Sequence, residues 1–302
     1  MPNFNHAAYL RRALEAVLSQ SRLPDEFLIL DDGSTDESVR IIESYLGYHP
    51  FMKLIRHDRN QGFQRTLEEL LQKAKGDFVY GASADDRILP GFFEEAMRMA
   101  TQYPQTGIVL GQMIAEDPAG NRIYEYGVRA WRENTFIPPD RFLSEYLERE
   151  SPMHSLGAAT IYRRHALSEI GGMRFQDLGH WCDSFAGRTL GLKYGACYLA
   201  RPCMIWTAHP EGIALKSAGQ RSLMMDHISK AASLMRSGDF RSLYPESHVR
   251  RWEKKYSQFI TFYSPPVTAF FSRLAAALSH AGPFRFLVPA GLKITRQFFQ
   301  MQ

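Results

Sequence analysis

The sequence predicts an α/β fold: a mixed, mostly parallel sheet flanked by helices, followed by a helical C-terminal extension. Three observations predict it. Short apolar runs alternate with segments of helical periodicity, and at this spacing the pattern reads as βαβ units around a parallel sheet. A run such as Phe27 to Leu30 is apolar at every position, as a strand covered on both faces is. The acidic clusters Asp31-Asp32, His57-Asp58 and Asp85-Asp86 follow three of the runs. Open α/β sheets bind their ligands at the carboxyl ends of strands.

Each element follows from its residues. Met1 to His6 is a polar turn. Leu10, Leu14, Val17 and Leu18 then share one helical face, with Ala13 between them. The strand F-L-I-L ends in Asp31-Asp32-Gly33-Ser34, and helical sequence resumes at Asp36. Met52 to Ile55 reads as a strand, Phe63 to Ala74 as a helix and Phe78 to Ala82 as a strand. Pro90 opens a helix over Gly91 to Ala100, and Gly107 to Ala115 is a further strand. Segment 118–152 mixes aromatics, charges and prolines, and reads as a cover over the sheet or an acceptor-side loop. Gly157 to Tyr162 reads as a strand, and Arg164 to Ile170 as a short helix closed by Gly171-Gly172. Asp183 to Gly191 is helical and Tyr194 to Leu199 extended. From Ser217 the texture is helical, broken by Pro245, Pro265-Pro266, Pro283 and Pro289. The division expected is a catalytic domain over 1–215 and a helical extension over 216–302.

One element is expected to be missing. The chain opens directly on the turn M-P-N-F-N, which in a parallel α/β fold follows a central strand. The reading is a late start, at an internal Met, or a fragment. Either leaves a groove of unpaired backbone groups.

Composition narrows the partners. A formal net charge of +4 is too weak to imply nucleic acid. Cys182, Cys197 and Cys203 form no C-x-x-C pair, which favours a reducing compartment over a disulfide framework or a zinc site. No signal peptide opens the chain, and no run of about 18 apolar residues suggests a membrane span. Residues 266–299 interleave Phe270, Phe271, Phe284, Phe286, Phe298 and Phe299 with Arg273, Arg285, Lys293 and Arg296. That pattern suits an interfacial helix on anionic lipid; a helical cap on the catalytic domain or a dimer contact suits it equally.

Five stretches in order resemble the family 2 inverting glycosyltransferases of bacterial cell-envelope polysaccharide synthesis. They are P-N-F-N-H at 2–6, D-D-G-S-T-D at 31–36, N-Q-G-F at 60–63, G-D-F-V-Y-G-A-S-A-D-D-R-I-L-P-G at 76–91, and G-A-A-T-I-Y-R-R-H-A-L-S-E-I-G-G-M at 157–173 followed by W-C-D-S-F at 181–185. The resemblance covers residues 2 to about 210. It implies a GT-A-like, Rossmann-type fold and a metal-dependent transfer of sugar from a nucleoside-diphosphate donor to a hydroxyl of a glycan or lipid-linked acceptor. It also implies work in the cytoplasm, with possible peripheral contact at the inner face of the membrane.

Such a transfer poses three problems. The leaving diphosphate needs neutralising. Mn²⁺ or Mg²⁺ held by one or two carboxylates does this, and the resemblance implies Asp86 as the metal ligand, with Asp85 facing ribose or metal. The family's D-x-D or D-x-D-D reads S-A-D-D here, with Ser83 in the first place. His209 falls where relatives carry a His or Arg near the phosphates, and is a weaker metal candidate. The nucleoside needs a carboxylate that accepts from a base N–H. Asp32 occupies the family's position for it, with Pro2 and Asn5 lining the base and Asp58 and Arg65 as weaker contacts. The acceptor hydroxyl needs a general base. The family's E-D pair reads Cys182-Asp183, so Asp183 takes this role, and Trp181 either stacks on an acceptor sugar or packs in the core. Against each role stands a plainer reading, in which these residues are turn or cap residues at helix starts. Two other functions compete. A catalytically degenerate binding relative would explain Ser83 and Cys182. A sugar nucleotidyltransferase would need a glycine-rich loop that P-N-F-N-H-A lacks.

Overall fold

The computed structural model describes residues 1–128, 130–150, 156–173, 178–210, 212, 216 and 220–263. Two sheets organise them. In the first, β1 (Pro2–Asn3), β2 (Phe27–Asp31) and β3 (Met52–Arg56) run parallel in that order. Helices α1 (Ala7–Leu18) and α2 (Ser38–Leu46) make the connections, and α3 (Phe63–Lys73) leads on to the second sheet. The apolar face of α1, with Leu10, Ala13, Leu14 and Val17, is buried in one core with Ile29 of β2 and Ile42 of α2.

The second sheet is built on β6 (Ile108–Glu116) and the long β10 (Ala196–Thr207), which pair in parallel with a bulge around Pro202. Outward from them lie β9 (Thr160–Arg163) and β4 (Phe78–Tyr80) on one side and the two-residue β5 (Arg87–Ile88) on the other. Helix α4 (Phe92–Gln102) follows β5 and packs on β10 and β6. Segment 118–152 supplies β7 (Arg122–Tyr126), paired with β6, and β8 (Thr135–Ile137), paired with β10. It ends in α5 (Pro139–Phe142) and a wide π turn over Leu143–Leu147. The parallel character expected from the βαβ spacing is therefore carried by β1–β2–β3 and by β6–β10. The other ladders of the described residues are antiparallel. Two of them are strands that the loop-like composition of 118–152 concealed.

The expectation of a missing first strand needs correcting: a stub of it is present. Pro2 and Asn3 pair with Leu30 and Asp31. The Met1 nitrogen donates to the Leu28 carbonyl at 2.8 Å, and the Leu30 N–H donates to the Met1 carbonyl at 3.0 Å. A cavity of about 550 Å³ lies between β2 and β4, lined among others by Met1, Leu28, Leu70, Val79, Phe93 and Asp183.

The C-terminal helices belong to the main core. Helix α6 (Arg164–Glu169) precedes a turn at Gly171 and Gly172, which have φ of 80° and 75° as helix-closing glycines do. Helix α7 (Cys182–Tyr194) is buried almost all round. Helices α8 (Arg221–Met235) and α9 (Glu246–Tyr263) pack on it, so that Ile228, Trp252 and Tyr256 share one cluster with Tyr162, Phe185 and Leu190. Arg188 of α7 forms a buried ion pair with Glu150 and donates to the Tyr256 hydroxyl at 2.8 Å. Residues of both helices thus share the cluster that covers the second sheet. The amphipathic reading of 266–299 lies outside the described residues. No described helix is long and apolar enough to cross a membrane.

Candidate functional site

The loops after β1, β2 and β3 converge. Asn5 has a φ of 55°, a left-handed conformation that Asn tolerates better than most residues. Its Oδ1 accepts from the Thr35 N–H at 2.8 Å, and its own N–H donates to Ser34 Oγ at 2.9 Å. Asp31 closes the turn, accepting from Asn3 Nδ2 at 2.7 Å and from the Ser34 N–H at 3.0 Å. Asp32 is buried. It accepts from the Gln61 N–H and the Gly62 N–H, both at 2.8 Å, and pairs with His57 Nδ1 at 2.7 Å. Burial works against its charge, but these bonds outweigh it and hold the carboxyl below its ordinary range. His57 is raised for the mirror reason: burial opposes its proton, while Asp32 and Glu69 hold it. Asp32 therefore anchors the N-Q-G-F loop. Asp58 and Arg65 are exposed on that loop and on α3, and Pro2 is part-buried in β1.

The loop after β4 is clamped to the end of β10. The Thr207 N–H donates to Asp86 Oδ1 at 2.8 Å, the Thr207 hydroxyl donates to the Asp85 carbonyl at 2.7 Å, and Arg12 of α1 donates to that hydroxyl at 3.0 Å. This clamp turns the neighbouring carboxylates apart. Asp85 meets His209, with Nε2 at 2.8 Å from Oδ2, and His6 Nε2 stands 3.9 Å from the same oxygen. One ligand atom from each of His6, Asp85 and His209 lies within 4.8 Å of the others. Asp86 does not join that cluster. Burial and then the charge of Asp85 raise its carboxyl well above the usual range. Tyr9 of α1 stacks on His209 with centroids 4.7 Å apart, and Arg12 lies over the Tyr9 ring.

Sequence reasoning missed His6, Tyr9 and Arg12. One signal was legible: His6 occupies the N-cap of α1, where Ser, Thr, Asn or Asp is usual, and makes no capping bond.

Asp183 lies in the first turn of α7 and faces the cavity between the sheets. Its Oδ1 accepts from the Ser184 N–H at 2.5 Å, and burial raises its pKa to about 6. Gly157 makes room for it. With φ of 107°, a Cβ there would stand 2.5 Å from Asp183 Oδ2. The Tyr162 hydroxyl donates to the Asp183 carbonyl at 3.0 Å and fixes the turn. Trp181 packs edge-on against Trp252 and Tyr256 of α9, at centroid distances of 6.0 and 4.9 Å.

Residues 1–171 match the family described as Glycosyl transferase family 2. The chain belongs to that family. The family 2 chain is 31% identical over 209 residues to the glycosyltransferase YibD of Escherichia coli K12, across 64% of this chain and 57% of that one. It is 30% identical over 206 residues to the protein MT1568 of Mycobacterium tuberculosis, across 66% of this chain and 63% of that one. It thus spans less than two thirds of either relative. Among solved structures, TarS 1–349 of S. aureus in complex with UDP aligns with a TM-score of 0.59 and 16% identity, over 99% of this chain and 79% of that one. The mannosyltransferase PcManGT of Pyrobaculum calidifontis, in complex with GDP-Man and Mn²⁺, aligns with a TM-score of 0.59 and 17% identity, over 99% and 78%. These likenesses bear out the family and the GT-A-like fold expected from the five sequence stretches.

Proposed function

We propose that this chain transfers a sugar, with inversion and with the help of a divalent cation, from a nucleoside-diphosphate donor to a hydroxyl of a glycan or lipid-linked acceptor. The observation that carries the reading is the meeting of Asp85 with His209 at the end of β10. Carboxylate and imidazole are suitable donors for Mn²⁺, and Asp85 and His209 would hold it. Bound there, the cation supplies positive charge to a leaving diphosphate. Asp86 stands beside that pair, held by the Thr207 N–H. Asp32, Asn5 and Pro2, with Asp58 and Arg65 near the loop they border, take the nucleoside end.

Asp183 accepts the acceptor's proton. A base works best with a pKa near the working pH. A carboxyl raised to about 6 is mostly ionised at neutral pH and still more basic than an ordinary Asp. The packing of Trp181 on α9 favours a core role over sugar stacking. The buried free cysteines suit a reducing cytoplasm; contact with the membrane's inner face would fall to 266–299.

The test is the thermal shift of the chain with UDP, GDP, dTDP and CMP, each with and without Mn²⁺. A ligand that binds only the folded state raises stability by mass action. A Mn²⁺-dependent shift with one nucleotide, lost in Asp85→Ala, is expected and names the donor class. Silence with all four nucleotides would sink the reading. A shift without sugar release from the matching donor would favour a binding protein over an enzyme.

A further inference from the structure

We infer that His6 is a third protein ligand of this cation site, giving it two imidazoles and one carboxylate and a preference for transition-metal ions over Mg²⁺. The inference rests on the cation reading above and goes beyond it in ligand set and selectivity.

Among the described residues, the His6 side chain meets only this site, with its ring edge-on to His209 at a centroid distance of 6.2 Å. It sits at the N-cap of α1, where the helix uses only its carbonyl, as acceptor for the Tyr9 and Leu10 N–H groups at 2.9 Å. Its Nδ1 is buried without a hydrogen-bond partner. Its Nε2 stands 3.9 Å from Asp85 Oδ2, too far for a hydrogen bond. Ligand atoms about 2.1 Å from a shared first-row cation stand roughly 3–4 Å apart, so the spacing that is poor for a hydrogen bond is good for shared coordination. The backbone that aims His6 is fixed from both sides. Asn5, at its φ of 55°, is tied to the Thr35 N–H, and Asp36 Oδ2 accepts from the Ala7 N–H at 2.9 Å. His209 is oriented by the Tyr9 ring stacked on it. Two imidazoles are therefore held beside one carboxylate.

The donor chemistry decides the selectivity. Mg²⁺ favours oxygen ligands and keeps its waters, whereas imidazole suits Zn²⁺, Co²⁺ and their neighbours, and Mn²⁺ accepts both. Two carboxylates with no nitrogen would leave Mg²⁺ competitive. Two imidazoles and one carboxylate do not.

The test uses the full chain, stripped with chelator and loaded with Mn²⁺. Pulsed EPR counts the nitrogens coupled to the ion, and titration gives its affinity. The wild type is expected to show two coupled imidazoles, and His6→Asn and His209→Gln one each. His6→Asn should weaken Mn²⁺ by about tenfold or more, the range in which even outer-shell losses fall. Mg²⁺ in large excess should fail to displace Mn²⁺ from the wild type. Asn is a favoured N-cap residue, so the metal-free melting temperature of His6→Asn should stay level or rise, whereas a merely structural His6 would lower it. One coupled imidazole in the wild type, kept in His6→Asn, would overturn the inference and leave the cation reading standing. No Mn²⁺ binding in the wild type would overturn both.

Discussion

Asp32 directly follows β2 and Asp85 lies in the loop between β4 and β5, and their surroundings are opposite. Around Asp32 the protein has assembled donors: two main-chain N–H groups from the N-Q-G-F loop and the His57 ring. Its charge is met from within the fold, and its pKa is depressed. Around Asp85 it has assembled another carboxylate and two imidazoles, and the carboxyl of Asp86 is raised by burial and by that neighbour. Asp183 belongs with the second kind, since burial raises it too, against the N–H groups of Ser184 and Asp183 and the charge of Arg188. A carboxylate satisfied by backbone donors holds its loop in shape for whatever binds beside it. One left short of positive charge is the kind that a ligand or a proton would satisfy.

The largest effect should come from Asp183→Asn. Transfer is expected to fall by about 10²–10⁴, the usual worth of a general base, with the fold retained. In the wild type the rate should climb with pH through about 6, and the variant should lose that limb. The stability sign follows. The folded carboxyl holds its proton more tightly than an unfolded Asp, so the wild type loses stability as pH rises from near 4 through about 6, and the Asn variant should not. A variant that keeps most of its activity would remove Asp183 from the second class.

Next in size is Asp32→Ala, which strands several buried donors and should cost about 2–4 kcal/mol in urea unfolding. Asp85→Asn, by contrast, should leave the metal-free protein as stable as before or more so, because it removes one of two repelling carboxylates. If the two substitutions cost the same, the contrast between the sites fails.

Gly157→Ala places a methyl 2.5 Å from Asp183 Oδ2 at a φ of 107°. It should cost about 1–3 kcal/mol of backbone strain and move the pH limb of the rate as the carboxyl is displaced. The smallest effect belongs to His57→Gln. Stability owed to protonated His57 is fully present below pH 6.5 and lost as pH rises through its raised value. The variant's melting temperature should therefore change less between pH 6 and 9 than the wild type's.

The regular parts of the fold were legible because periodicity reports burial. β2, α3, α4 and α7 fall within a few residues of where their apolar patterns place them. β7 and β8 were not legible, since three- to five-residue strands joined by short turns carry too little pattern in a stretch rich in charges and proline. β10 ran past its expected end because its bulge absorbs Pro202. At the site, the carboxylates were legible as types at strand ends, but not as neighbours. Whether Asp85 or Asp86 turns toward His209 depends on the hydrogen bonds of Thr207, a residue 121 positions away. His6 escaped notice for a similar reason, being linked to Asp85 only through the packing of α1 against the second sheet.

The buried pair of Arg188 with Glu150 also bears on where the chain can be cut. Arg188 lies on α7, Glu150 follows the π turn, and the Tyr256 hydroxyl of α9 accepts from the same guanidinium. A buried charge that loses its partner is costly. Any shortened form made for expression should therefore keep α9, because cutting ahead of it strands that guanidinium and bares the ring cluster of Trp181, Trp252 and Tyr256.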